Sequence, residues 1–66
     1  MIKIEVNGES RAIAPMALSG LLTQLNQQQP GVAVAVNNRI VPRNSWPQTS
    51  LREGDSVDIF SVIAGG

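Results

Sequence analysis

The chain predicts an α+β fold, with one main helix packed across a mixed sheet of four to five strands. Three observations carry this. Residues 2–6 alternate, with Ile2, Ile4 and Val6 on one side and Lys3 and Glu5 on the other, the pattern of a half-buried strand. Leu18, Leu21, Leu22 and Leu25 recur at i, i+3, i+4 and i+7, which aligns them on one helical stripe. After that stripe, 32–36 and 56–63 are runs rich in β-branched residues bounded by turn signals. The 66 residues amount to one domain, 1–66. A chain this short buries roughly 60% of its surface on folding, enough for a core but not for a deep enclosed cavity of ordinary enzyme size.

The elements follow in order. Asn7-Gly8 is a strong hairpin signal, because both central positions of a type I′ turn need φ > 0. Residues 9–14 return as a second strand, with Ile13, or Ala12 and Ala14, inward. Pro15 breaks it. The leucine helix follows and carries Gly20, a costly residue there that is expected to allow close approach to the sheet. Pro30-Gly31 is expected to end the helix. Val32-Ala33-Val34-Ala35-Val36 holds no charge and reads as a central strand covered on both faces. Asn37-Asn38 makes a turn, and Ile40-Val41 a short strand stopped by Pro42. Residues 43–47 form a turn or one helical turn, Leu51 anchors the next loop, and Glu53-Gly54-Asp55 turns into the last strand. With a right-handed crossover through the helix, the first and last strands lie adjacent and parallel. This is the β-grasp, or ubiquitin-like, arrangement.

Composition removes whole classes of function. The chain has no Cys and no His. It therefore has no disulfide, thiolate or imidazole metal site, cysteine nucleophile or Ser-His-Asp triad, and no metal is expected. Five basic residues (Lys3, Arg11, Arg39, Arg43, Arg52) balance five acidic ones (Glu5, Glu9, Glu53, Asp55, Asp58). With no net charge, nothing draws the molecule to nucleic acid or to an anionic membrane. The alternating start is no signal-peptide core, and no apolar run nears the ~18 residues a membrane span requires. The expectation is a cytoplasmic protein, monomeric when free.

The side chains offer no catalytic set. Glu53 and Asp55 flank a turn glycine and read as turn residues. Arg39 and Arg43 fall on a shared surface after the central hairpin, where solvation or a surface ion pair with an acidic partner is the favoured reading and a joint binding role the alternative. Trp46 reads as a packing anchor, and Met16 and Phe60 as core or boundary residues. The end is different: Ile63 is followed by Ala64, Gly65 and Gly66. On composition alone this is equally a frayed terminus and a functional tail. A Gly-Gly tail has no Cβ to exclude it from a narrow channel, and it delivers one carboxylate at a set distance from the fold. Activation of that carboxylate to an acyl-adenylate would let sulfur attack it, with partners supplying the catalysis.

At this point the whole chain resembles the sulfur carrier family of thiamine biosynthesis, within the ubiquitin-like β-grasp superfamily. The resemblance rests on Val34-Ala35-Val36-Asn37, on Ile40-Val41-Pro42-Arg43 with Trp46 three residues later, and on Leu51, Glu53-Gly54-Asp55, Val57 and Val62-Ile63-Ala64-Gly65-Gly66. The terminal Gly-Gly is common to ubiquitin-like carriers, whereas Val-Pro-Arg-x-x-Trp and the short length favour the thiamine branch. Pro15-Met16-Ala17 departs from the Thr-Leu type of helix entry.

The resemblance implies a cycle in which the protein is a co-substrate with no bound cofactor and no catalytic residues of its own. An E1-like adenylyltransferase (ThiF-like) consumes MgATP to adenylate the Gly66 carboxylate. Sulfur from a cysteine-desulfurase source converts it to a thiocarboxylate, and thiazole synthase (ThiG-like) uses that sulfur to build the thiazole ring. Ala64, Gly65 and Gly66 are the flexible tail that threads the partner channel. Ile40, Phe60, Val62 and Ile63 are candidates for an apolar docking patch. Two alternatives stand beside this reading: a carrier of the molybdopterin-synthase small-subunit type, and a β-grasp interaction module without covalent chemistry.

Overall fold

In a computed structural model of the protein, which describes residues 1–61, five strands form one sheet in the order β2-β1-β5-β3-β4. β1 (Ile2–Val6) and β2 (Glu9–Ile13) make the first hairpin, with Ile2 opposite Ile13 and Val6 opposite Glu9. Its turn is the expected one: Asn7 has φ 52° and Gly8 φ 85°, as type I′ requires. Ile13, not Ala12, is the buried residue of β2.

α1 (Leu18–Gln24) is shorter than the leucine pattern suggests. Leu18, Leu21 and Leu22 are buried, while Leu25 is the C-cap and packs at the margin of the core. Asn26, not Pro30-Gly31, ends the helix. It adopts φ 61°, with Asn26 N–H donating to the Thr23 carbonyl (3.2 Å) and Gln27 N–H to the Leu22 carbonyl (2.9 Å). This is a Schellman motif with Asn in the left-handed position. At the other end, the N-cap Ala17 has no side chain able to cap. The 49–51 segment takes over: Leu18 N–H donates to the Thr49 carbonyl at 2.7 Å, and Leu51 N–H to the Met16 carbonyl at 3.0 Å. Gly20 makes no close approach to the sheet, since a Cβ there would meet only Met16, at 3.5 Å or more.

β3 (Val32–Val36) and β4 (Arg39–Ile40) form the second hairpin. Its turn residues Asn37 and Asn38 have φ 53° and 69°, again the type I′ combination. A 3₁₀ turn covers Arg43–Gln48. β5 (Ser56–Ser61) enters the middle of the sheet, parallel to β1 and antiparallel to β3. The parallel first and last strands are as the crossover rule requires. The centre of the sheet, however, is β5 and not β3. β3 is also not covered on both faces, because α1 packs on one side only. Its alanines are small enough to sit on the uncovered side with little apolar surface in water, which is why an uncharged run is compatible with a strand next to the edge.

The core lies between α1 and the helix-side face of the sheet. Ile4, Leu18, Leu21, Leu22, Val34 and Val57 are all 1% exposed or less, with Val6, Ile13, Trp46 and Leu51 completing the cluster. Among the described residues no helix is long and apolar enough to cross a membrane.

Candidate functional site: the open sheet face and the last strand

Strand alternation sends every second side chain to the face away from α1. Val34 and Val57 point into the core, so Ala33, Ala35, Asp58 and Phe60 point outward. The register places Ala33 opposite Phe60 and Ala35 opposite Asp58 on one side and opposite Ile40 on the other. Directly opposed residues share a face, so Phe60, the two alanines and Ile40 form an apolar strip across β5, β3 and β4. Phe60 is 42% exposed and Ile40 64%. The expectation that Phe60 is a core or boundary residue is therefore corrected. Its phase along β5 is odd relative to Val57, and among the described residues no element covers that side. Both described members of the candidate docking patch, Ile40 and Phe60, lie on this strip. The remaining members, Val62 and Ile63, and the tail residues Ala64, Gly65 and Gly66 lie outside the described residues.

β5 is held from both flanks by asparagines of the two hairpin turns. Asn7 N–H donates to the Val57 carbonyl (2.9 Å), and Asn7 Oδ1 accepts from Ile59 N–H (2.8 Å). On the other flank, Asn37 N–H donates to the Ser56 carbonyl (2.7 Å) and Asn37 Oδ1 accepts from Ser56 N–H (2.9 Å). Asn37 Nδ2 also donates to Asp55 Oδ1 (3.0 Å). Beside the end of β5 runs a groove of about 370 Å³, lined by Asn7, Arg11, Gln27, Phe60 and Ser61 among others.

The remaining candidates are structural. Trp46 is buried and its Nε1–H donates to the Val41 carbonyl at 3.0 Å. The Arg43 guanidinium lies 4.5 Å from the Trp46 ring centroid, within cation–π range. It also donates to the carbonyls of Gln28 (2.9 Å) and Gln29 (2.7 Å). The Val-Pro-Arg-x-x-Trp element is thus a clasp that ties the 3₁₀ turn to the loop after α1, and Arg43 is not free to act with Arg39 on a common binding surface. Glu53 Oε1 accepts from Lys3 N–H (2.9 Å) and Asp55 Oδ2 from Arg52 N–H (2.8 Å), so these carboxylates fasten their turn. Among the described residues, no group of three or more Asp or Glu is placed to hold a metal ion.

A five-stranded mixed sheet whose middle strand comes last, with one main helix on one face and an apolar strip on the other, defines a ubiquitin-like β-grasp domain. The ThiS family model matches residues 4–66, and the chain belongs to the ThiS family, the sulfur carriers of thiamine biosynthesis. It is 52% identical over 46 residues to the sulfur carrier protein ThiS of Escherichia coli K12, a match covering 70% of each chain. It is 38% identical over 66 residues to a thiazole synthase of Paramagnetospirillum magneticum, covering 98% of this chain but only 20% of that longer protein. The crystal structure of the thiamine biosynthesis protein ThiS from Geobacter metallireducens superposes with a TM-score of 0.86 at 25% identity, covering 98% of this chain and all of that one.

Two features were not visible in the sequence reading. The Asn7 and Asn37 side-chain clamps depend on which strand lies beside each turn, and a turn asparagine signals only its φ. The Arg43 clasp brings together residues 14 and 15 positions apart, although the short Arg-x-x-Trp spacing hinted at a unit.

Proposed function

We propose that this chain works as a protein co-substrate, with the carboxylate of Gly66 as its reacting group. An E1-like (ThiF-like) adenylyltransferase joins that carboxylate to the α-phosphate of MgATP and releases pyrophosphate. Persulfide sulfur derived from a cysteine desulfurase then displaces AMP as an acyl disulfide, and a thiol reductant cleaves its S–S bond to leave the thiocarboxylate. Thiazole synthase (ThiG-like) takes the sulfur into the thiazole ring. Ala64 and Gly65 thread the partner's channel, and Ile40 and Phe60, together with Val62 and Ile63, dock the partner. The chemistry takes place in the cytoplasm, and the free protein is a monomer.

The observation that carries this reading is the family match, which runs through Gly65 and Gly66. The choice of thiazole synthase as recipient draws on a second one: a protein of that name contains a segment alignable with nearly all of this chain. Deleting Gly66 is expected to abolish thiazole formation in a reconstituted system while the circular dichroism spectrum is unchanged. Gly65→Val is expected to do the same by adding a branched side chain where the channel must pass backbone. A Gly66 deletion that still supports thiazole formation contradicts the proposal.

A further inference from the structure

The hold on β5 changes along its length. On one flank β3 pairs with it from Val57 to Ser61. On the other, β1 pairs only with Ser56 and Val57, because the chain turns away at Asn7-Gly8. The next amide on that flank, Ile59 N–H, would face a bare edge. The Asn7 side chain meets it there at 2.8 Å. A type I′ turn asks only for φ > 0 at this position, which Asn, Asp and Gly all supply. The turn itself does not require a side-chain acceptor.

We infer that Asn7 is a positioning residue for the carried C-terminal glycine. It extends the grip of β1 on β5 by one rung, up to two residues before Ser61, and so sets the line along which the strand leads to residues 62–66. This role rests on the tail reading above. Asn37 is its internal control. It has the same turn geometry and also accepts a β5 amide through Oδ1, but from Ser56, at the opposite end of the strand.

The test compares Asn7→Gly, Asn7→Asp and Asn37→Gly with the unsubstituted full chain. The readout is ATP-dependent pyrophosphate release by the adenylating enzyme as a function of carrier concentration. Asn7→Gly keeps the turn and removes the acceptor; Asn7→Asp keeps both. One net hydrogen bond corresponds to about a fivefold change in an equilibrium. KM is therefore expected to rise about fivefold in Asn7→Gly with kcat unchanged, and to return to within twofold in Asn7→Asp. Asn37→Gly is expected to leave KM within twofold, although its thermal midpoint falls at least as far, since it also loses the bond to Asp55. Equal KM values for the two glycine variants, or no recovery in Asn7→Asp, overturn the role of Asn7 alone. No pyrophosphate release from the unsubstituted chain overturns the tail reading and this role with it.

Discussion

The two faces of the sheet are built from the same strands and have opposite fates. On the helix side, Val34 and Val57 are completely buried within the hydrophobic cluster. On the open side, one residue further along the same strands, Ala33 and Ala35 lie between Phe60 and Ile40, and only flanking side chains shield Ala35 among the described residues. The covered face carries the stability of a domain that has little to spare. The open face can be changed with small consequences for folding, which leaves it available for recognition. The division assigns substitutions to one property or the other, and it can be broken.

The largest effect is expected from Leu22→Ala, which empties a fully buried position. Such truncations cost about 2–5 kcal/mol, a large part of the stability of so small a domain, so the urea midpoint should collapse toward zero denaturant. A loss under about 1 kcal/mol would mean that α1 does not hold the sheet together. Next comes Trp46→Phe, which keeps an aromatic ring but removes the bond to the Val41 carbonyl and shrinks the surface under Arg43. We expect about 1–2 kcal/mol of destabilisation by thermal unfolding. Gly20→Ala has the opposite sign. With only ordinary contact to Met16, it should stabilise by about 0.5–1 kcal/mol; a destabilised variant would reveal a close approach that the geometry does not contain. The smallest stability effect belongs to the open face. Ile40→Lys, on an edge strand where lysine is well tolerated, should stay within about 0.5 kcal/mol of the parent yet weaken capture by the partner in a pull-down or calorimetric titration. Unchanged capture would remove Ile40 from the docking strip.

Much of this architecture was legible because it depends on short-range rules. The alternation of 2–6 and the Asn7-Gly8 dipeptide specify a strand, a turn type and a register within one hairpin. The leucine stripe specifies which face of α1 is buried. The handedness of the crossover then places β5 beside β1. Where the reading went astray, longer-range or weaker signals decided. The helix ends at Asn26 because a Schellman turn forms there, and asparagine marks the left-handed conformation less clearly than the Pro30-Gly31 pair downstream. An uncharged Val-Ala alternation reads as doubly covered, but alanine costs little on an open face, so β5, which carries Asp58, takes the middle. Phe60 illustrates the same limit within the candidate site. Its size suggests the core, whereas its phase relative to Val57 sends it outward, and only the strand register decides between them.

The central claim is that a folded scaffold carries its chemistry on one terminal carboxylate. Intact mass spectrometry tests it most directly, on protein incubated with the cognate adenylating enzyme and a sulfur source, with and without ATP. The account predicts an ATP-dependent gain equal to the exchange of one oxygen for sulfur, localised by fragmentation to Gly66. An unmodified mass in the presence of demonstrably active partners would contradict it.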